Sequence, residues 1–146
     1  MSAAFELHIV FDCADPDRVA RFWMAALGGY DFPSGVPEGF ASWDEYADAN
    51  GIPVELRNVG RTLVDQERDR PDIFFLKVSE AKAGKNRLHL DIKVAPGLDG
   101  DARRTRIDAE ADRLIALGAT VTERFDTSED IHLILQDPEG NEFCLA

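Results

Sequence analysis

His8, His89 and His132 are the only histidines among 146 residues, and the first two stand in matching contexts. Leu7-His8-Ile9-Val10-Phe11 is echoed by Leu88-His89-Leu90-Asp91-Ile92, and strand alternation puts each imidazole on the face opposite its aliphatic neighbours. Near the end of the chain, Glu142 and Cys144 alternate with Asn141, Phe143 and Leu145, which directs the Glu142 carboxylate away from the apolar side. Two neutral imidazoles and one carboxylate on rigid strands leave coordination positions for water or substrate. That donor set suits Fe(II) and is also usable by Zn, Mn, Co or Ni. His8, His89 and Glu142 are therefore candidate metal ligands, and Glu142 is also a candidate catalytic group. His132 alternates with Ile131 and Leu133 and is a second catalytic candidate, as a general acid or base. A histidine on a strand is also an ordinary half-buried polar residue, so both readings stay open for each. Cys13 and Cys144 form no C-x-x-C pair and have no base beside them in sequence, which argues against a nucleophile and a disulfide framework. No phosphate loop, dinucleotide fingerprint or serine elbow is present.

The elements that must position these side chains occur twice. The strand around His8 is followed by Asp15-Pro16, an N-cap with proline at the first helical position. Val19, Phe22, Trp23, Ala26 and Leu27 then recur at helical spacing up to Gly28. The strand around His89 (Leu88, Leu90 and Ile92 inward) leads through Ala95-Gly100 to a helix from about Asp101 to Leu117. That helix is expected to bury Ile107, Ala111, Leu114 and Ile115, and it too ends in Ala-Leu-Gly. Short extended segments follow each helix: Thr62 to Asp65 and Asp72 to Val78 in the first half, and Ala119 to Phe125, Ile131 to Gln136 and Asn141 to Leu145 in the second. The last two are joined by the turn Asp137-Pro138-Glu139-Gly140. Pro33 to Asn58 reads as an insertion, with a short helix over Ser42 to Asn50. The plan is one α+β domain over 1–146, with module 1 about 5–80 (inserted segment 33–58) and module 2 about 86–146.

Sixteen basic against 28 acidic residues leave a net charge of −12, which repels phosphate backbones and argues against nucleic-acid binding while leaving a cationic small ligand open. No apolar run has the roughly 20 residues of a membrane span, and no signal-peptide pattern opens the chain. A cytoplasmic protein with reduced thiols is expected.

His8-Ile-Val-Phe-Asp-Cys-Ala-Asp15, Arg21-Phe22-Trp23 and Ala26-Leu27-Gly28 resemble the opening of a vicinal-oxygen-chelate domain, the glyoxalase/bleomycin-resistance/extradiol-dioxygenase superfamily. Lys85-Asn86-Arg87-Leu88-His89-Leu90-Asp91 and Asp137-Pro138-Glu139-Gly140-Asn141-Glu142-Phe143 resemble its second-module motifs, so the likeness spans Phe5 to Leu145. The resemblance implies two βαβββ modules forming an open, cupped mixed sheet, with metal ligands on first and last strands. By position these fall on His8, His89 and Glu142, with a divalent ion (Fe, Zn, Mn, Ni or Co) as cofactor. It also implies a homodimer acting on a small molecule. A glyoxalase I-like site would want a further carboxylate or glutamine on the last strand of module 1. Repeat symmetry puts Ile73 or Phe74 there, and spacing gives no support to Glu55 as a substitute, which counts against lactoylglutathione lyase activity.

Three functions are then compatible with the residues. The first is a metal-dependent lyase, isomerase/epimerase or dioxygenase acting on a small oxygen-chelating substrate. The second is a metal-free antibiotic-binding protein, in which Phe40, Trp43 and Tyr46 would receive a cationic, planar drug. The third is an accessory domain without chemistry of its own. A shared fold does not choose among them.

Overall fold

Strand β1, His8–Cys13, carries its apolar side chains on alternate positions, and Phe11 lies 5.4 Å from both the Trp23 and Phe75 rings. The computed structural model describes residues 4–146. Its internal contacts divide the chain into two units, the first ending at Glu80 and the second beginning at Ala81.

In the first unit, α1 (Pro16–Leu27) starts where Asp15 turns the chain, its carboxylate accepting from the Arg18 N–H. Asn58 locks this start from the far side of the insertion. Its Oδ1 accepts from the Asp17 N–H at 2.9 Å and its Nδ2 donates to Asp15 at 2.8 Å. Val19, Ala20, Phe22, Trp23 and Ala26 form the buried face of α1, as the helical spacing requires. Then come β2 (Tyr30–Asp31), α2 (Trp43–Ala49, capped by Ser42), a 3-10 turn at Val54–Leu56, β3 (Gly60–Asp65) and β4 (Asp72–Lys77). The sheet order is β1-β4-β3-β2, with β1 and β4 parallel and the other pairs antiparallel.

The second unit repeats this topology. β5 (Asp91–Ile92) precedes α3 (Gly100–Ala116), then β6 (Thr120–Asp126), β7 (Ile131–Gln136) and β8 (Glu142–Leu145), in the order β5-β8-β7-β6 with β5 and β8 parallel. Each unit is thus βαβββ and each sheet is mixed, so the α+β class follows directly from the topology. Ile107, Ala111 and Leu114 of α3 and Leu133, Leu135, Phe143 and Leu145 of the sheet are buried.

Three local expectations fail. Ile115 is 47% exposed, because one residue beyond Leu114 turns it about 100° away from the buried stripe. Leu7 and Leu88 are exposed, and β1 begins at His8. The second-half strand around His89 shrinks to Asp91–Ile92, since that is the stretch opposed by β8. The β2 pairing with β3, only two residues long, has no counterpart in the sequence pattern.

Candidate functional site

The parallel ladders decide which side chains stand together. In the first unit His8 is directly opposite Asp72, and Val10 is opposite Phe74. Glu6, His8 and Asp72 each offer a donor atom within 4.8 Å of the others. His8 Nε2 lies 3.0 Å from Glu6 Oε1; the hydrogen bond to Glu6 raises the imidazole pKa above its ordinary value, and the Asp72 charge adds to the effect. The same contact holds Glu6 below the usual carboxylate range.

In the second unit Asp91 is opposite Cys144, and the Cys144 N–H donates to the Leu90 carbonyl at 2.9 Å. In the sequence echo Asp91 takes the place of Val10, so Cys144 is the counterpart of Phe74 and Glu142 that of Asp72. This corrects the repeat symmetry drawn from the sequence: the residue of β4 equivalent to Glu142 is Asp72, not Ile73 or Phe74. Ile73 is 1% exposed and belongs to the core. A sequence cue existed, since an acidic residue immediately precedes the apolar run in both Asp72-Ile73-Phe74-Phe75 and Glu142-Phe143-Cys144-Leu145. Glu55 stands exposed on the 3-10 turn.

Glu142 is held at both carboxylate oxygens. Oε2 accepts from the Asn86 backbone N–H at 2.9 Å, and Oε1 lies 3.2 Å from Lys82 Nζ. Burial pushes its pKa upward, but these donors outweigh burial and keep the group below its ordinary value. Lys82 is fixed in turn by the Gly84 carbonyl, and the Asn86 side chain bonds Asn141 at 3.0 Å. The tight turn before β8 is closed by Asp137, which accepts from the Glu139 and Asn141 N–H groups and from Asn141 Nδ2. Gly140 completes it at φ +85°, a left-handed conformation suited to glycine. Asn86 and Lys82 are contributors that local periodicity did not single out as ligand-positioning groups.

His132 lies on the β7 face shared by Ile134 and Gln136, which stand opposite Cys144 and Glu142. Its ring stacks on Phe125 at 4.4 Å between centroids, and Nδ1 lies 3.0 Å from Asp130 Oδ2. An aspartate on Nδ1 leaves Nε2 as the nitrogen able to exchange a proton. Neither cysteine is in a disulfide. Cys13 is buried, with Sγ donating to the Leu76 carbonyl, while burial, seconded by Asp91, pushes the Cys144 thiol up. No helix among the described residues is long and apolar enough to cross a membrane.

The glyoxalase-like domain family model matches residues 8–146. A glyoxalase/bleomycin resistance protein/dioxygenase family enzyme from Burkholderia phytofirmans PsJN is similar in structure, with 17% identity, 94% of each chain covered and a TM-score of 0.58. A possible glyoxalase from Bacillus cereus has 15% identity, 98% of each chain covered and a TM-score of 0.57. The fosfomycin resistance protein FosX from Listeria monocytogenes, complexed with Mn(II) and 1S,2S-dihydroxypropylphosphonic acid, has 10% identity, 99% of this chain and 92% of that chain covered, and a TM-score of 0.60. No curated protein matches.

Proposed function

The chain belongs to the glyoxalase-like domain family, and from that premise we propose that it is a metal-dependent enzyme of lyase, isomerase/epimerase or dioxygenase type acting on a small oxygen-chelating substrate. The candidate ligands are His8, His89 and Glu142 as read from the sequence, with Asp72 added for its register position opposite His8; His8 and Asp72 belong to the first unit, His89 and Glu142 to the second. The observation that supports this reading is the first-unit ladder, which sets Asp72 opposite His8, with Glu142 at the equivalent place on β8 of the second unit. Mn(II) in the Listeria relative supports a divalent ion here. The residues fit such an ion, because Glu6, His8 and Asp72 already bring nitrogen and oxygen donors within 4.8 Å of one another.

When bound, the metal supplies a Lewis acid for two substrate oxygens. The chain's own residues do the rest. Glu6 orients the His8 ring, as an outer carboxylate commonly orients a ligating imidazole. The Asn86 N–H fixes one Glu142 oxygen and keeps the group ionised, which suits a ligand or a base. His132, with Asp130 on Nδ1 and Phe125 packed against its ring, is the proton-transfer group at Nε2. A homodimer and a cytoplasmic location belong to the same proposal.

The test is metal content by plasma mass spectrometry on untagged protein prepared without chelator, beside His89→Ala and Asp72→Asn. Near-stoichiometric metal in the parent, lost in His89→Ala and reduced in Asp72→Asn, is expected. A parent chain that stays metal-free after incubation with Fe(II), Zn(II), Mn(II) and Ni(II) overturns the reading.

One observation favours the second reading, a metal-free binder of cationic drugs. Phe40 and Trp43 both meet Tyr46 edge-on, at 5.2 and 5.6 Å, with Asp44 and Glu45 in the same short helix. Drug binding by metal-stripped protein, undiminished in His8→Ala, would establish it.

A further inference from the structure

Cys144 sits where a thiol has company. Asp91 faces it across the β5–β8 ladder, and His89, Asp91 and Cys144 each offer a donor atom within 4.8 Å of the others. His89 Nδ1 is 3.9 Å from Asp91 Oδ1, and both side chains are about half exposed, at 44% and 49%, so they have room to adjust. Nitrogen, oxygen and sulfur donors around a tetrahedral zinc stand about 3.4–3.6 Å apart, so closure asks for small rotamer movements only. Glu142 lies two residues before Cys144 on the same face of β8, with its oxygens on Lys82 and Asn86. The thiol is free of any disulfide and sits in a partly buried position.

We infer that the second unit carries a thiolate-containing metal site, His89–Asp91–Cys144, that takes a borderline-soft divalent cation such as Zn(II) or Co(II) with a coordination position left open. Binding forms an M–S bond as the Cys144 S–H proton passes to water, with no change of oxidation state. The site shares His89 with the proposed function, rests on that reading in this respect alone, and adds a sulfur donor that the reading does not contain. A three-donor N, O, S set selects zinc-like ions over the harder Mn(II) and Mg(II), whose preference is for oxygen.

The experiment is a Co(II) titration of the full chain in the presence of a non-thiol reductant, read by the sulfur-to-cobalt charge-transfer absorption in the near ultraviolet. Expected is a saturable band in the parent and in Glu142→Gln, absent from Cys144→Ser, with far-ultraviolet circular dichroism showing both variants folded. Cys13→Ser should retain the band and serves as the control for the other thiol. Co(II) bound with no charge-transfer band overturns the thiolate site while leaving the metal ligands of the proposed function standing. A band that depends on Cys144, together with metal loading indifferent to Asp72→Asn and Glu142→Gln, upholds the thiolate site and removes the other. No Co(II) binding at all overturns the thiolate site, and the proposed function falls with it only if the parent also stays metal-free after incubation with Fe(II), Zn(II), Mn(II) and Ni(II).

Discussion

Removing Lys82 should strengthen metal binding. Lys82 Nζ stands 3.2 Å from Glu142 Oε1, with the two side chains 26% and 14% exposed, so the ammonium occupies the oxygen a metal would need. The other oxygen stays on the Asn86 N–H, which orients the carboxylate without neutralising it. In the parent chain a metal must break the Lys82 pair before Glu142 can ligate. Ion pairs of this partly exposed kind contribute about 0.2–1 kcal/mol, and the limited exposure here places this one toward the upper end. With RT near 0.6 kcal/mol, Lys82→Ala should therefore raise metal affinity by up to about fivefold. The gain should shrink with added salt, because screening already weakens the pair in the parent. Mn(II) titration by calorimetry at low and high ionic strength measures both effects. An unchanged or lower affinity in Lys82→Ala, with Glu142→Gln equally without effect, would remove Glu142 from the ligand set.

Two further outcomes are expected besides the metal measurements on Asp72 and Cys144. Gly140→Ala forces a Cβ into a φ of +85° and within 3.4 Å of Lys82 Cδ; thermal unfolding should show a loss of about 1–2 kcal/mol, partly recovered in Gly140→Asn, and a melting temperature equal to the parent's would contradict the strain assigned to this turn. Asp65 is 1% exposed and accepts from the Asp69 and Arg70 N–H groups and from the Arg70 guanidinium, which leads the shift that holds it below the usual carboxylate range. Because its pKa is lower folded than unfolded, its stabilisation is complete above the ordinary carboxylate range and drains away as pH falls through the lowered value. Asp65→Asn should be less stable than the parent in urea at neutral pH, and the gap should narrow in acid; a gap that widens in acid would refute the assignment.

The parts of the fold that local chemistry writes were legible. Asp15-Pro16 announced the start of α1, since capping depends on neighbouring residues alone, and the short helix expected over Ser42 to Asn50 is α2. The run from Ile131 to Gln136 was read to its ends because alternation marks a strand with one face buried. Parallel register lies beyond such reading. Nothing near Asp72 says that it pairs with His8, and a slip of one residue exchanges Asp72 for the buried Ile73. The same limit explains Asn86 and Lys82, whose backbone and side-chain donors matter only once β8 brings Glu142 to them. The length of β5 was overestimated for a related reason, since a strand is as long as its partner allows.

In both units the first strand pairs with the last, and in the first unit His8 meets Asp72 across nearly the whole length of its own module. The β3–β4 and β6–β7–β8 meanders involve nearer segments of chain and have less entropy to lose on closing. The parallel ladder is the farthest-reaching contact of each unit, and the inserted segment 33–58 adds only about 0.5 kcal/mol to the closure of the first. A metal bridging His8 and Asp72 would therefore act as a clasp on the slowest seam, binding the finished module and ignoring the half-built one. Metal uptake followed during refolding would then report on completion of the sheet rather than on the earlier appearance of helices and hairpins.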